Sequence, residues 1–425
     1  MNQALLISPS TPYGEVTVPP SKSHSLRAIL FASLSQGLSV IDNCLSSSDT
    51  YTMLTACKKL GSQIKIVGKS LHIQGNPHPQ DNYHRRLHMG NSGIALRFLT
   101  ALSALSPSPT LITGTHSLKR RPIMPLLSSL KQLGIEVRQK KSLSIPFVIR
   151  GPLSSGHTIV SGQDSQYASA LAITAAIAPE PLSFSIENLK ERPWFDMTLN
   201  WLNSLNISFS RKRDFLAFPG GQSLKNFSYS VPGDFSSAAF LAALGLLSSS
   251  PNPTILHNLP AHDSQGDKQL FFLLKNLGAN ILIGEHHVEI HPSSFSGGTI
   301  DMDPFIDALP ILAVLCCFAK KPSRLYNARG AKDKESNRIK AISQELRKMG
   351  GLVYPTDDGL YIEPSRLHGA VVCSHNDHRI AMALAVAGVH ASSGQTILCD
   401  TRCINKSFPH FVVTARTLHA NIQHY

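Results

Sequence analysis

Short polar motifs open six apolar, alanine-rich stretches of this chain. They are Lys22-Ser23 with Arg27, Asn91 and Gly93 with Arg97, Ser165-Gln166, Asp234-Phe235-Ser236-Ser237, Asp307-Ala308, and Asn376-Asp377-His378-Arg379. Between and after them stand Lys119-Arg120-Arg121, Lys334-Glu335 with Arg338, and Lys406-Ser407. A helix N-terminus presents unpaired N–H groups and the positive end of the dipole, so it favours anions. Capping accounts for Ser23, Asn91, Ser165, Asp307 and Asn376 taken one at a time. It does not account for Lys22, Arg27, Arg97 and Arg379, cations set against the dipole in first turns, unless a counter-anion sits there. The chemistry indicated is capture of substrates carrying several phosphate or carboxylate groups, for which the planar Arg fork is suited. On residue type alone, Asp307 reads more readily as a cap and Glu335 as a solvated surface charge than as acid–base groups.

The elements that must position these motifs repeat. A second, amphipathic segment follows each alanine-rich one (TMLTACKKL, MPLLSSLKQL, MTLNWLNSL, LFFLLKNL and IKAISQELRKM are the clearest). The landmarks that close these segments are Gly61, Gly134, Asn206, Gly278, Gly350 and the weaker His419, spaced 73, 72, 72, 72 and 69 residues apart. The four glycines fit a left-handed helix C-cap, and Asn206 can serve as one. Alternating pairs such as QIKIVGKSLHI, EVRQKKSLSIPFVI, NILIGEHHVEI and LVYPTDDGLYI read as hairpins. One unit, strand–helix–strand–helix–hairpin, is therefore used six times. Its first helix is apolar nearly all round and must be buried, which puts sheets outside and tightly packed helices inside. One folding plan then places the six helix entrances equivalently.

Composition narrows the classes further. The 42% hydrophobic and 16% charged content is that of a globular chain with a large core. MNQALLISPS has neither a basic start nor an apolar centre, so no secretory signal is read, and the apolar run 308–319 is too short to span a membrane. Seven cysteines without a CxxC pair or Cys/His ligand set predict reduced thiols, a cytoplasmic setting and no metal. The net charge of +13 admits nucleic acid or anionic small molecules. Sparse basic runs and only two tryptophans favour the small molecules.

Nine motifs, in order, resemble the enolpyruvyl transferase family, in the branch that acts on shikimate 3-phosphate. They are Pro20-Ser21-Lys22-Ser23 with Arg27, Gly90-Asn91-Ser92-Gly93 with Arg97, Lys119-Arg120-Arg121-Pro122, Ser165-Gln166, Gln265-Gly266-Asp267, Asp307-Ala308, Lys334-Glu335 with Arg338, Asn376-Asp377-His378-Arg379, and Lys406-Ser407-Phe408-Pro409. The resemblance spans about Leu6 to Phe411. It implies an α/β fold, a two-domain inside-out α/β barrel of six βαβαββ units, three per domain. Residues 1–19 with 234–425 would form one domain and 20–233 the other, with the active site in the cleft between them. It further implies that the enolpyruvyl group of phosphoenolpyruvate passes to the 5-hydroxyl of shikimate 3-phosphate, without cofactor or metal. By family position Lys22, Arg121, Arg338, Arg379 and Lys406 would hold phosphoenolpyruvate, helped by Asn91, Gly93 and Gln166. Ser23, Arg27, Ser165, Gln166, Asp307 and Lys334 would hold shikimate 3-phosphate. Asp307 would serve as base for the hydroxyl, Glu335 as proton donor and later acceptor, and Lys22 as charge stabiliser. His378, Asp49 and Gln265-Gly266-Asp267 read as supporting structure, and Cys399 and Cys403 as packing. A monomer is expected, because both half-sites lie on one chain.

Three positions depart from the family pattern. Ile94 stands where Thr is usual and Asn337 where Asp is common. Glu191-Arg192-Pro193-Trp194 stands where a Ser and an aromatic usually meet the substrate. The sister activity on UDP-N-acetylglucosamine is opposed by the lack of Cys between Ser106 and Arg121 and by Ser23 after Lys22. An RNA-end-modifying or nucleic-acid-binding protein built from related repeats is a more distant alternative.

Overall fold

Periodicity in the chain becomes helices of two kinds in the computed structural model, which describes residues 3–78, 85–139 and 144–425. The inner helices are α1 (Lys22–Leu34), α3 (Gly93–Ser103), α5 (Ser165–Ala175), α7 (Phe235–Leu246), α9 (Leu309–Cys317) and α11 (His378–Val389). Every residue of α7, α9 and α11 is buried, as an all-round apolar helix requires. The outer helices are α2 (Ser48–Lys59), α4 (Met124–Gln132), α6 (Arg192–Ser204), α8 (Gln269–Asn276), α10 (Arg338–Lys348) and α12 (Phe411–Thr417). These bury one stripe: in α2, Asp49, Met53, Ala56 and Cys57 face inward at helical spacing. All six closing landmarks, including Asn206 and His419, have the left-handed backbone that ends a helix.

Among the described residues, six four-stranded sheets carry the same order, and a two-stranded one stands beside them. In each repeat the first strand runs parallel to the second, the fourth pairs antiparallel with the second, and the third forms the far edge. Strand Gly156–Ser161 shows how the sheets clothe the helices: Val160 is fully buried while Ile159 is 44% exposed. In the second repeat, Glu136–Gln139 pairs with Phe147–Arg150, and the connection at 140–143 lies outside the described residues.

The chain divides into two compact lobes, a continuous one, Pro20–Val231, and a discontinuous one, Met1–Pro19 with Pro232–Tyr425. Each has its own hydrophobic core. Two strands before Pro20 complete sheets of the discontinuous lobe: Gly14–Thr17 pairs with Thr254–His257, and Leu5–Ile7 lies between Thr396–Cys399 and Ile422–His424. Ser228–Ser230, just ahead of the fourth repeat's helix, pairs instead with Leu38–Asp42 of the first repeat.

Candidate active site

In the discontinuous lobe the sequence-predicted residues converge on one buried ion network. Asp377 caps α11, accepting from the Arg379 N–H at 2.9 Å, and its carboxylate also takes the Arg338 Nε–H at 2.8 Å. Arg338, first residue of α10 and 1% exposed, further donates to Asp307 Oδ1 at 2.7 Å and Glu335 Oε2 at 2.9 Å. Burial opposes its charge, but Asp377, Asp307 and Glu335 together hold the guanidinium above its ordinary pKa. Glu335 Oε1 meets the Lys406 ammonium at 2.5 Å. Arg379 reaches Asp307 Oδ2 at 3.1 Å and Asp267 Oδ2 at 3.4 Å. Burial would raise the Asp307 pKa; Arg379, Lys334 and Arg338 overcome it and hold the carboxyl well below the usual range. The structure thus brings together Asp307, Lys334, Glu335, Arg338, Arg379 and Lys406.

The caps themselves sit one or two residues from where residue type places them. Ser21, Ser92, Asp164, Asp234 and Asp377 cap α1, α3, α5, α7 and α11, and α9 has no side-chain cap. Ser23, Asn91, Ser165, Asp307 and Asn376 are therefore not caps. The signature alone cannot distinguish adjacent polar residues, because only the backbone turn decides which one faces the open N–H groups.

In the continuous lobe, Lys22 opens α1 with its ammonium 4.0 Å from buried Asp49 in the first turn of α2. Gly93 opens α3. A methyl group there would lie 2.7 Å from Nη1 of both Arg121 and Arg97, so any side chain at this position would push the two guanidinium groups away from the start of α3. Arg97 donates to Gly93 O and Pro122 O, 3.2 and 2.8 Å away, and stands 3.6 Å from Asp164. Ser117 donates to the Asn91 side-chain oxygen. The Gln166 side-chain oxygen is buried with no hydrogen-bond partner. Ser23 lends its carbonyl to Arg27. Arg27 also donates to Thr198 Oγ1, at 2.8 and 3.0 Å, and to Trp194 O at 3.1 Å; burial lowers its pKa to about 9. Ser165 donates to Glu191 Oε2 at 3.2 Å, and buried Glu191 holds a left-handed backbone with φ 52°. Both lobes therefore offer cations at helix entrances, and the acids sit beside them.

The chain as a whole resembles known proteins. A family model described as EPSP synthase (3-phosphoshikimate 1-carboxyvinyltransferase) matches residues 8–414. The chain belongs to the EPSP synthase family. A 3-phosphoshikimate 1-carboxyvinyltransferase of Chlamydia muridarum (strain MoPn / Nigg) is 78% identical, covering 100% of this chain and 97% of that one. The one of Chlamydia caviae (strain ATCC VR-813 / DSM 19441 / 03DC25 / GPIC) is 55% identical over 99% of this chain and 94% of the relative. Among solved structures, EPSP synthase from Acinetobacter baumannii superposes with a TM-score of 0.83 at 25% identity, covering 100% of both chains. The enolpyruvyl transferase NikO from Streptomyces tendae shares the fold, with a TM-score of 0.79 at 16% identity over 100% of this chain and 99% of that one.

In this EPSP synthase-family chain, sequence reasoning passed over the acids behind the cations. Asp377 was legible as part of a motif but not as the main partner of Arg338. Asp49 and Asp267 read as bracing, yet they face Lys22 and Arg379. The cations signal that some carboxylate must balance them, since a buried charge needs a partner, but not which acid supplies it.

Proposed function

We propose that the chain transfers the enolpyruvyl group of phosphoenolpyruvate to the 5-hydroxyl of shikimate 3-phosphate, releasing phosphate by addition and elimination. The observation that carries this reading is the pairing of Glu335 with both Lys406 and Arg338, beside Asp307 between Arg338 and Arg379. It supplies two carboxylates for proton transfer and three cations for the substrate's anionic groups. Lys22, Arg121, Arg338, Arg379 and Lys406, with Asn91, Gly93 and Gln166, hold phosphoenolpyruvate. Ser23, Arg27, Ser165, Gln166, Asp307 and Lys334 hold shikimate 3-phosphate.

The chemistry follows from charge. Asp307 stays ionised, so it accepts the hydrogen bond of the 5-hydroxyl and takes its proton as the new C–O bond forms. Substrate anions draw Lys406 and Arg338 away from Glu335, which raises the affinity of that carboxyl for the proton it gives to the methylene carbon. Lys22 and Arg379 stabilise charge on the phosphate of the tetrahedral intermediate. Glu335 then takes a proton back from the new methyl group as phosphate leaves. The chain acts as a monomer in the cytoplasm on this reading; its seven cysteines are free, as a reducing compartment keeps them. No helix among the described residues is long and apolar enough to cross a membrane.

The test is phosphate release from phosphoenolpyruvate with shikimate 3-phosphate or UDP-N-acetylglucosamine as acceptor. Turnover with the first alone is expected, and turnover with the second alone would overturn the assignment.

A further inference from the structure

Asp267 is fully buried in the short turn Gly266–Lys268, and the reaction as described gives it no part. Its Oδ2 accepts from the Ser236 hydroxyl and faces Arg379 Nη1 at 3.4 Å. Its Oδ1 is buried with no hydrogen-bond partner. Gln265 fixes the turn to the start of α7, accepting from the Phe235 N–H at 3.0 Å and donating to Gly233 O at 2.8 Å. Arg379 thus lies between two carboxylates, one on Nη2 from Asp307 and one on Nη1 from Asp267.

We infer that Asp267, anchored by Ser236, is the positioning residue for Arg379, and that by taking up a proton it releases the guanidinium charge to phosphoenolpyruvate. This rests on the proposed role of Arg379 in binding that substrate. Without substrate, an ionised Asp267 balances the buried guanidinium. An incoming anion at Arg379 repels that carboxylate, and the unpartnered Oδ1 is the atom free to take a proton from solvent. One proton is gained, and no bond other than O–H changes.

The surroundings set the pH range. Asp234 and Ser236 at the start of α7, Asp307 in the turn before α9 and Arg379 at the start of α11 act on Asp267; the turn before α9 also carries Asp303, and α11 opens on His378. Lys268, next in the chain, is turned to the carbonyl oxygens of Ala261 and Asp263, and Lys275 lies at the far end of α8. Burial raises the Asp267 pKa, Arg379 lowers it, Asp307 raises it and the Ser236 hydrogen bond lowers it, leaving it at about 7. Below that pH Arg379 is unopposed on this side, and above it the carboxylate competes with the substrate.

KM for phosphoenolpyruvate and kcat should be followed from about pH 6 to about pH 8.5 in the wild type, Asp267→Asn and Ser236→Ala. The expected ratio of wild-type to Asp267→Asn KM rises about fivefold or more across that range, the linkage of one proton. A brace with no titration would raise KM equally at every pH, and parallel profiles overturn the inference. Should Asp267→Asn fail to fold, Ser236→Ala still decides. Loss of its hydrogen bond moves the inflection of KM to higher pH, and an unmoved inflection overturns the inference. Arg379→Gln separates the two levels: an unchanged KM for phosphoenolpyruvate would locate the failure in the role of Arg379, not in Asp267.

Discussion

At the scale of single residues, the site depends on what is missing as much as on what is present. Gly93 lacks the Cβ that would press on Arg121 and Arg97 at 2.7 Å. Gly93→Ala is expected to displace Arg121 and raise KM for phosphoenolpyruvate about tenfold, a loss of about 1.4 kcal/mol of binding, with the thermal midpoint little changed. Steady-state kinetics alongside calorimetry would check both halves. Glu191 is the opposite case, a buried carboxylate bonded to Ser165 at 3.2 Å, where the proposed shikimate 3-phosphate site needs no negative charge. Glu191→Gln keeps the shape and removes the repulsion, so KM for shikimate 3-phosphate should fall about fivefold while that for phosphoenolpyruvate stays put. Most cations of the site could be read from motif position, because Lys22, Arg338 and Arg379 in first turns contradict the helix dipole and so ask for an explanation. Their acid partners Asp377, Asp267 and Asp49 could not. An acid at or near a helix N-terminus is what capping and the dipole alone would predict, so nothing in the sequence marks it as doing more.

Helices and strands add constraints that no single residue shows. Asp377 both caps α11 and holds Arg338 of α10, tying two helix entrances together. Asp377→Ser preserves a capping oxygen but withdraws one of three carboxylates from a buried guanidinium. Its cost should reach about 2–4 kcal/mol, above the ~1 kcal/mol typical of losing a cap outright, when urea unfolding is compared with the wild type. The inner helices carry the same lesson for packing. Ala383 and Ala242 are at most 2% exposed within helices buried on every side, so leucine at either position should destabilise by about 1–3 kcal/mol through overpacking. This layer was the most legible part of the chain, because all-round apolarity against one-sided apolarity separates inner from outer helices by period alone. Strand partnership was less so. Gly14–Thr17 and Ser228–Ser230 each precede the inner helix of their repeat, yet each pairs in the other repeat's sheet, and residue pattern is blind to such exchange.

For the whole molecule, the exchange of strands makes the two lobes unequal as folding units. Residues 20–231 hold every strand of their three four-stranded sheets and an undivided core. Residues 232–425 do not: Leu5–Ile7 fills an interior place in one sheet and Gly14–Thr17 an edge in another. Leaving the first empty would expose two rows of backbone groups at the centre of a sheet, a cost that burial elsewhere in a lobe of this size does not absorb. The C-terminus also points to the remedy. The Tyr425 N–H bonds Ala4 O at 3.0 Å, so Ile422–His424 runs antiparallel into Leu5–Ile7 as the third strand of each other repeat runs into its fourth. A short glycine-rich linker from Tyr425 to Gln3 would therefore close a hairpin. Expressed separately, 20–231 is expected to unfold in urea in one cooperative transition, and 232–425 to show none. The permuted fragment, 232–425 followed by 3–19, should regain a transition with a slope in keeping with its buried surface. A cooperative transition in 232–425 without those strands would show that the N-terminal segment decorates the lobe and does not complete it.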